Sequence, residues 1–181
     1  MADPGLHRLP GEASMSRAGY LAGLREGSSF RVAVACARFN GQVTKRLLDG
    51  AEEALDRLGV ASAESGGRLV CLVPGAFELP LAARWLLDGG RADAVVALGC
   101  VIRGETSHYD FVAGECAAGL QRVQLETGRP VAFGVLTTEN LEQALARSGG
   151  ELGNKGSEAV ETVIEMLNIS RQLEKGRVDA G

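Results

Sequence analysis

The chain has 181 residues, 45% of them hydrophobic and 23% charged, and carries a net charge of −4. That length suits one compact domain with a substantial core. The acidic balance, with no basic run interleaved with aromatics, argues against a nucleic-acid binder. No apolar stretch approaches the roughly 20 residues of a membrane helix. The first 27 residues lack the apolar segment of a secretory signal, so the expected location is cytoplasmic.

In chain order, residues 1–18 mix prolines, glycines, serines and charges without periodicity, which reads as a flexible extension. A domain over 19–174 follows, then a short tail, 175–181. Gly19 to Leu24 reads as a short edge strand and Arg31 to Ala37 as the first core strand. Val43, Leu47, Leu48, Ala51, Leu55 and Leu58 mark one face of a helix that stops at Gly59. Leu69 to Val73 is the second strand. Phe77, Leu81 and Trp85 share a helical face, with Pro80 tolerable in the first turn. Ala94 to Cys100 is the third strand. Ser107, three residues before Asp110, forms a capping-box-like start to a helix carrying Val112, Cys116, Leu120 and Val123. Val131 to Leu136 is the fourth strand, and Thr138 is the expected N-cap of a helix with Glu139 and Glu142 near its positive end. Beyond Gly149, Gly150 and Gly153, the last helix turns Val160, Val163, Ile164 and Leu167 inward.

Continuous apolar strands alternating with amphipathic helices imply a parallel sheet covered on both faces. The expected fold is a flavodoxin-like three-layer α/β/α sandwich, with a four-stranded parallel sheet plus the short N-terminal edge strand. Cys36, Cys71, Cys100 and Cys116 are widely spaced, with no CxxC pair and no nearby histidine. They read as small buried hydrophobes, and neither a disulfide nor a metal site is expected.

In such a sheet the carboxyl ends of the strands converge on one edge, where open α/β sheets bind ligands. Four polar clusters fall there: Arg38-Phe39-Asn40, Val73 to Glu78, Cys100 to His108, and Leu136 to Thr138. Phe39 either stacks on a flat heterocycle, with Asn40 reading its edge, or simply caps the core. Glu78 either offsets a helix dipole or accepts hydrogen bonds from a polyol. Gly104 to Ser107 offers N–H groups and hydroxyls to an anion, with Arg103, Arg147 and Lys155 as candidate cations. His108 is the best-placed proton carrier. No Walker A loop, GxGxxG fingerprint or GxSxG elbow is present. These residues alone specify a small α/β enzyme handling an anionic or heterocyclic ligand.

Arg38-Phe39-Asn40, Val73 to Pro80, Leu98 to Asp110, Phe133 to Asn140 and Gly153 to Gly156 resemble the motifs of the lumazine synthase family, in order and spacing. The resemblance spans roughly residues 19–170. It implies a transferase of riboflavin biosynthesis that makes 6,7-dimethyl-8-ribityllumazine, with no cofactor and no metal. The substrates would be 5-amino-6-(D-ribitylamino)uracil and 3,4-dihydroxy-2-butanone 4-phosphate, with phosphate and water released. By motif, Phe39 would stack on the pyrimidine and Asn40 contact it. Ala76, Phe77 and Glu78 would line the ribityl site, and Cys100, Val101 and Ile102 would supply backbone contacts. Glu105 and Thr106 would bind phosphate through backbone N–H groups and the Thr106 hydroxyl, opposite Arg147, and His108 would shuttle protons. Phe133, Arg147 and Lys155 would come from the adjacent subunit of a homopentamer, or of a cage of pentamers, and Glu158 would tune His108 or Lys155. The alternatives are a lumazine-dismutating riboflavin synthase of the archaeal type and a non-catalytic flavin-binding or container protein. The phosphate segment and Arg147 favour the synthase.

Overall fold

The structure, a computed structural model, describes residues 21–178. The N-terminal extension expected over 1–18 lies outside the described residues. So do residues 19 and 20 of the expected edge strand. Residues 21–24 form no strand; they run along the last helix instead, where Gln172 Nε2 donates to the Ala22 carbonyl and Asn168 Nδ2 to those of Leu24 and Glu26. A Cβ at Gly23 would collide with the Glu165 backbone, so this close approach requires glycine. The sheet edge is not what captures the segment; helix side-chain amides are.

Strands β1 (Val32–Ala37), β2 (Arg68–Val73), β3 (Ala94–Ile102) and β4 (Val131–Thr138) form one parallel sheet in the order β2-β1-β3-β4. Between them run α1 (Gly41–Arg57), a single 3₁₀ turn (Ala76–Glu78) leading into α2 (Leu79–Asp88), and α3 (His108–Thr127). After β4 come α4 (Leu141–Ala146), a small antiparallel ribbon of β5 (Ser148–Gly150) and β6 (Gly153–Asn154), and α5 (Lys155–Val178), which runs into the stretch read as a tail. The chain steps outward from β1 to β2, then reverses to β3 and β4. Right-handed crossovers therefore place α1 on one face and α2 and α3 on the other.

Strand periodicity sorts the core onto these two faces. Val32, Val34 and Cys36 of β1, with Val96, Leu98 and Cys100 of β3, pack under α1 and α5. Ala33, Ala35 and Ala37, with Val95, Ala97 and Val101, pack under α2 and α3. Alanines on β1 let those helices approach closely, and the central strands are apolar at every position because both faces are covered.

Two local expectations are overturned. Thr138 is the last residue of β4, not a cap; Asn140 caps α4, its Oδ1 accepting from the Gln143 N–H at 2.9 Å. Pairing explains the shift, because Cys100, Val101 and Ile102 of β3 align with Leu136, Thr137 and Thr138, so both strands extend two residues past their expected ends. Ser107 precedes α3 but makes no capping hydrogen bond, and Asp110 turns to Arg103 instead. Pro80 does lie in the first turn of α2. The Phe77, Leu81 and Trp85 face points outward, at 58%, 52% and 66% exposure, while Leu79, Ala82, Ala83, Leu86 and Leu87 face the sheet.

Candidate active site

The crevice at the carboxyl ends of β1 and β3 lies where the loops after neighbouring strands leave toward opposite faces, the place such sheets bind ligands. The β1–β2 pairing continues beyond the strands, with Arg38 N–H donating to the Val73 carbonyl and Phe39 N–H to that of Pro74. Phe39 is thereby carried out of the core to 70% exposure, so the ring does not cap the core. Asn40 follows at φ 57°, the only non-glycine among the described residues with positive φ. Asparagine tolerates that left-handed conformation better than most residues. Its Nδ2 donates to the Cys100 carbonyl at 2.9 Å, joining the ends of β1 and β3, while its Oδ1 has no partner among the described residues.

A cleft of about 420 Å³ and one of about 660 Å³ divide the candidate residues. The larger is lined by Phe39, Ala76, Phe77, Glu78, Cys100, Val101, Ile102, Thr106 and His108 from the expected set, and by Tyr109, Phe111 and Val112 besides. These last three follow His108 in sequence. One helical turn brings them round to the same wall, a placement that depends on α3 starting at His108. One Glu78 oxygen accepts from the Gly75 N–H at 2.9 Å, leaving the other without a partner among the described residues. Glu78 thus closes the turn before α2 and also lines the cleft. Burial pushes the Cys100 thiol up to about 11, so near neutrality it is a protonated, apolar wall and no nucleophile. The His108 N–H points to Thr106 Oγ1 at 3.4 Å, which draws this hydroxyl of the Gly104–Ser107 loop to the helix start. Glu105 is exposed on that loop and does not line the cleft.

The smaller cleft runs along the open edge of β4 against α5 and holds Phe133, Arg147 and Lys155, together with Thr137, Thr138, Glu158 and Thr162. Lys155 Nζ pairs with Glu158 Oε2 at 2.6 Å, and Arg147 donates to the Gln143 carbonyl at 3.0 Å. The demanding backbone around Lys155 has a concrete cause. Asn154 Oδ1 accepts from the N–H groups of Gly156 and Ser157, and its Nδ2 donates to the Arg46 carbonyl. A Cβ at Gly156 would collide with the Leu47 carbonyl, and one at Gly50 with the Asn154 amide. The two clefts share no lining residue. Within one chain, then, the cations and the imidazole sit in separate pockets. Among the described residues no cluster of three or more His, Cys, Asp or Glu side chains could hold a metal ion.

A flavodoxin-like α/β protein with one cleft at its strand ends and a second, lined by Arg147 and Lys155, on its open sheet edge is the class these features define. The chain belongs to the 6,7-dimethyl-8-ribityllumazine synthase family, whose family model matches residues 29–171. It is 55% identical over 143 residues to the 6,7-dimethyl-8-ribityllumazine synthase of Edwardsiella ictaluri (strain 93-146), a match covering 79% of this chain and 90% of that protein. The resemblance read from the strand-end motifs is borne out.

Proposed function

We infer that the protein condenses 5-amino-6-(D-ribitylamino)uracil with 3,4-dihydroxy-2-butanone 4-phosphate to 6,7-dimethyl-8-ribityllumazine, releasing one phosphate and two waters. The observation that carries this reading is the pair of complementary half-sites in a chain of this family. The larger has an aromatic, a carboxylate and an imidazole suited to a flat heterocycle with a polyol tail. The smaller has the cations a phosphate requires.

In this reading Phe39 stacks on the pyrimidine and Asn40 presents its free Oδ1. Ala76 and Phe77 line the ribityl chain, and the second oxygen of Glu78 accepts from its hydroxyls. Backbone groups of Cys100, Val101 and Ile102 meet the pyrimidine edge. The backbone N–H groups of Glu105 and Thr106, just before α3, and the Thr106 hydroxyl receive the phosphate together with Arg147 and Lys155, because helix N-termini and cations both favour an anion. His108 moves protons during imine formation, phosphate elimination and ring closure. Holding two reactive substrates in one pocket contributes most, since proximity can supply roughly 7–11 kcal/mol.

The separation of the half-sites supports a composite site, in which Phe133, Arg147 and Lys155 of one subunit complete the large cleft of the next. A closed homopentamer, alone or as part of a cage, satisfies that geometry, because head-to-tail interfaces close into rings. The outward Phe77, Leu81 and Trp85 supply apolar surface for such a contact. Cytoplasmic location accords with this metabolic role, and no helix among the described residues is long and apolar enough to cross a membrane.

Mixing both substrates with the protein tests the reaction. Growth of lumazine absorbance with equimolar phosphate release is the expected result. Riboflavin formed from lumazine would mark a dismutating synthase instead, and tight riboflavin binding without turnover a carrier.

A further inference from the structure

Arg103 stands on the ridge between the two clefts and belongs to the lining of neither. Its N–H donates to the Thr138 carbonyl at 2.8 Å, which fastens the end of β3 to that of β4. Its side chain bridges two carboxylates, Nη2 to Asp110 at 3.0 Å and Nε to Glu139 at 3.1 Å, and its guanidinium carbon lies 4.0 Å from the centre of the Tyr109 ring. Arg103 and Asp110 flank the anion-loop segment Gly104 to Ser107, so their pairing closes that loop at its base. Ser107 offers no side-chain cap to α3 and Thr106 Oγ1 meets the His108 N–H only at 3.4 Å, so this clasp is a further tie on the helix start.

We propose that Arg103 is a positioning residue for the phosphate-bearing substrate: it holds the Gly104–Ser107 loop and neutralises Asp110 and Glu139, which would otherwise repel the incoming anion. It is not an anion ligand, because two edges of its guanidinium already face carboxylates. The trio Arg103, Asp110 and Glu139 carries a formal charge of about −1, and removing the arginine raises it to about −2 beside a site for a multiply charged phosphate. Holding the loop needs a planar, two-edged donor, since a lysine cannot bridge both carboxylates in fixed geometry, whereas neutralising them needs only the charge.

The role rests on the proposed lumazine-forming reaction, and steady-state kinetics on the full chain separates the two. Arg103→Ala is expected to raise KM for 3,4-dihydroxy-2-butanone 4-phosphate by about three- to tenfold, the scale that two solvent-exposed ion pairs can produce. KM for the uncharged ribitylaminouracil should change less than about twofold, and the defect should shrink as added salt screens the carboxylates. Arg103→Lys should recover part of the loss. Arg103→Ala combined with Asp110→Asn and Glu139→Gln should bring the phosphate-substrate KM back toward the parent value. A triple variant still as impaired as Arg103→Ala would make Arg103 a direct ligand and overturn the proposal. Equal rises in both KM values with a lowered melting temperature would make it merely structural, and overturn it too. Wild-type protein that forms no lumazine removes the reaction itself, whereas normal wild-type turnover with an unchanged KM in Arg103→Ala removes only this role.

Discussion

His108 and Phe39 are legible as residues of the strand-end cleft because each is an unusual side chain at the exit of an apolar strand, and strand ends converge whatever the details of packing. Asn40 was legible as polar but not as a brace. Its left-handed backbone and its bond to the Cys100 carbonyl exist only once β1 and β3 lie side by side. Tyr109 and Phe111 were missed as cleft residues because their placement depends on where α3 starts. At this scale, His108→Ala is expected to lower kcat by about 10²-fold, near the lower limit for loss of a general acid–base, because water can carry protons in its place. Single-turnover absorbance measurements would read this; complete loss of turnover in a normally assembled variant would contradict it.

Element lengths were set by partners more than by propensity. β3 and β4 outrun their expected ends because each supplies the other with hydrogen-bonding groups through Ile102 and Thr138. Helix α5 docks on α1 only because Gly50 and Gly156 leave room for the Asn154 amide and the Leu47 carbonyl. Gly156→Ala is therefore expected to destabilise the fold by about 2–3 kcal/mol, as overpacking does, and urea denaturation of the variant would measure it. At the amino ends of β1 and β3, Arg31 pairs with Asp93 at 2.8 Å. Burial would raise the Asp93 carboxyl, but hydrogen bonds from the Arg31 side chain and N–H, with the charge of Arg31, outweigh it and hold the group below the usual carboxylate range. The ionised form is thus favoured by folding. Its contribution is complete above the unfolded pKa of about 3.9 and is lost as pH falls through the lower native value. Asp93→Asn should cost less than about 1 kcal/mol at pH 7, since the pair is partly solvated. It should also flatten the stability loss below about pH 4. Denaturation curves at pH 7 and pH 3 check the sign, and an unchanged acid slope would refute it.

On the scale of the whole molecule, the proposed composite site would make activity a property of the assembly. Thr106→Glu places a carboxylate in the anion loop, and Arg147→Glu reverses the cation of the other half-site, so each variant alone should be inactive. Co-assembled in equal amounts they should regain activity at about a quarter of the sites, those pairing an intact large cleft with an intact small one across a head-to-tail interface. No recovery after verified mixing would place the whole site within one chain. Native mass spectrometry should find multiples of five chains, and Trp85→Asp, on the outward face of α2, should dissociate them with the monomer fold retained. The sequence alone determined the α/β alternation, the two-faced core and the chemical identity of the strand-end clusters, because apolar periodicity and residue type are local properties. Only the tertiary structure decided which cluster faces which. It divided His108 from Arg147 and Lys155, turned one face of α2 outward and set Arg103 between two carboxylates, because each depends on strand order and on pairing between segments distant in the chain.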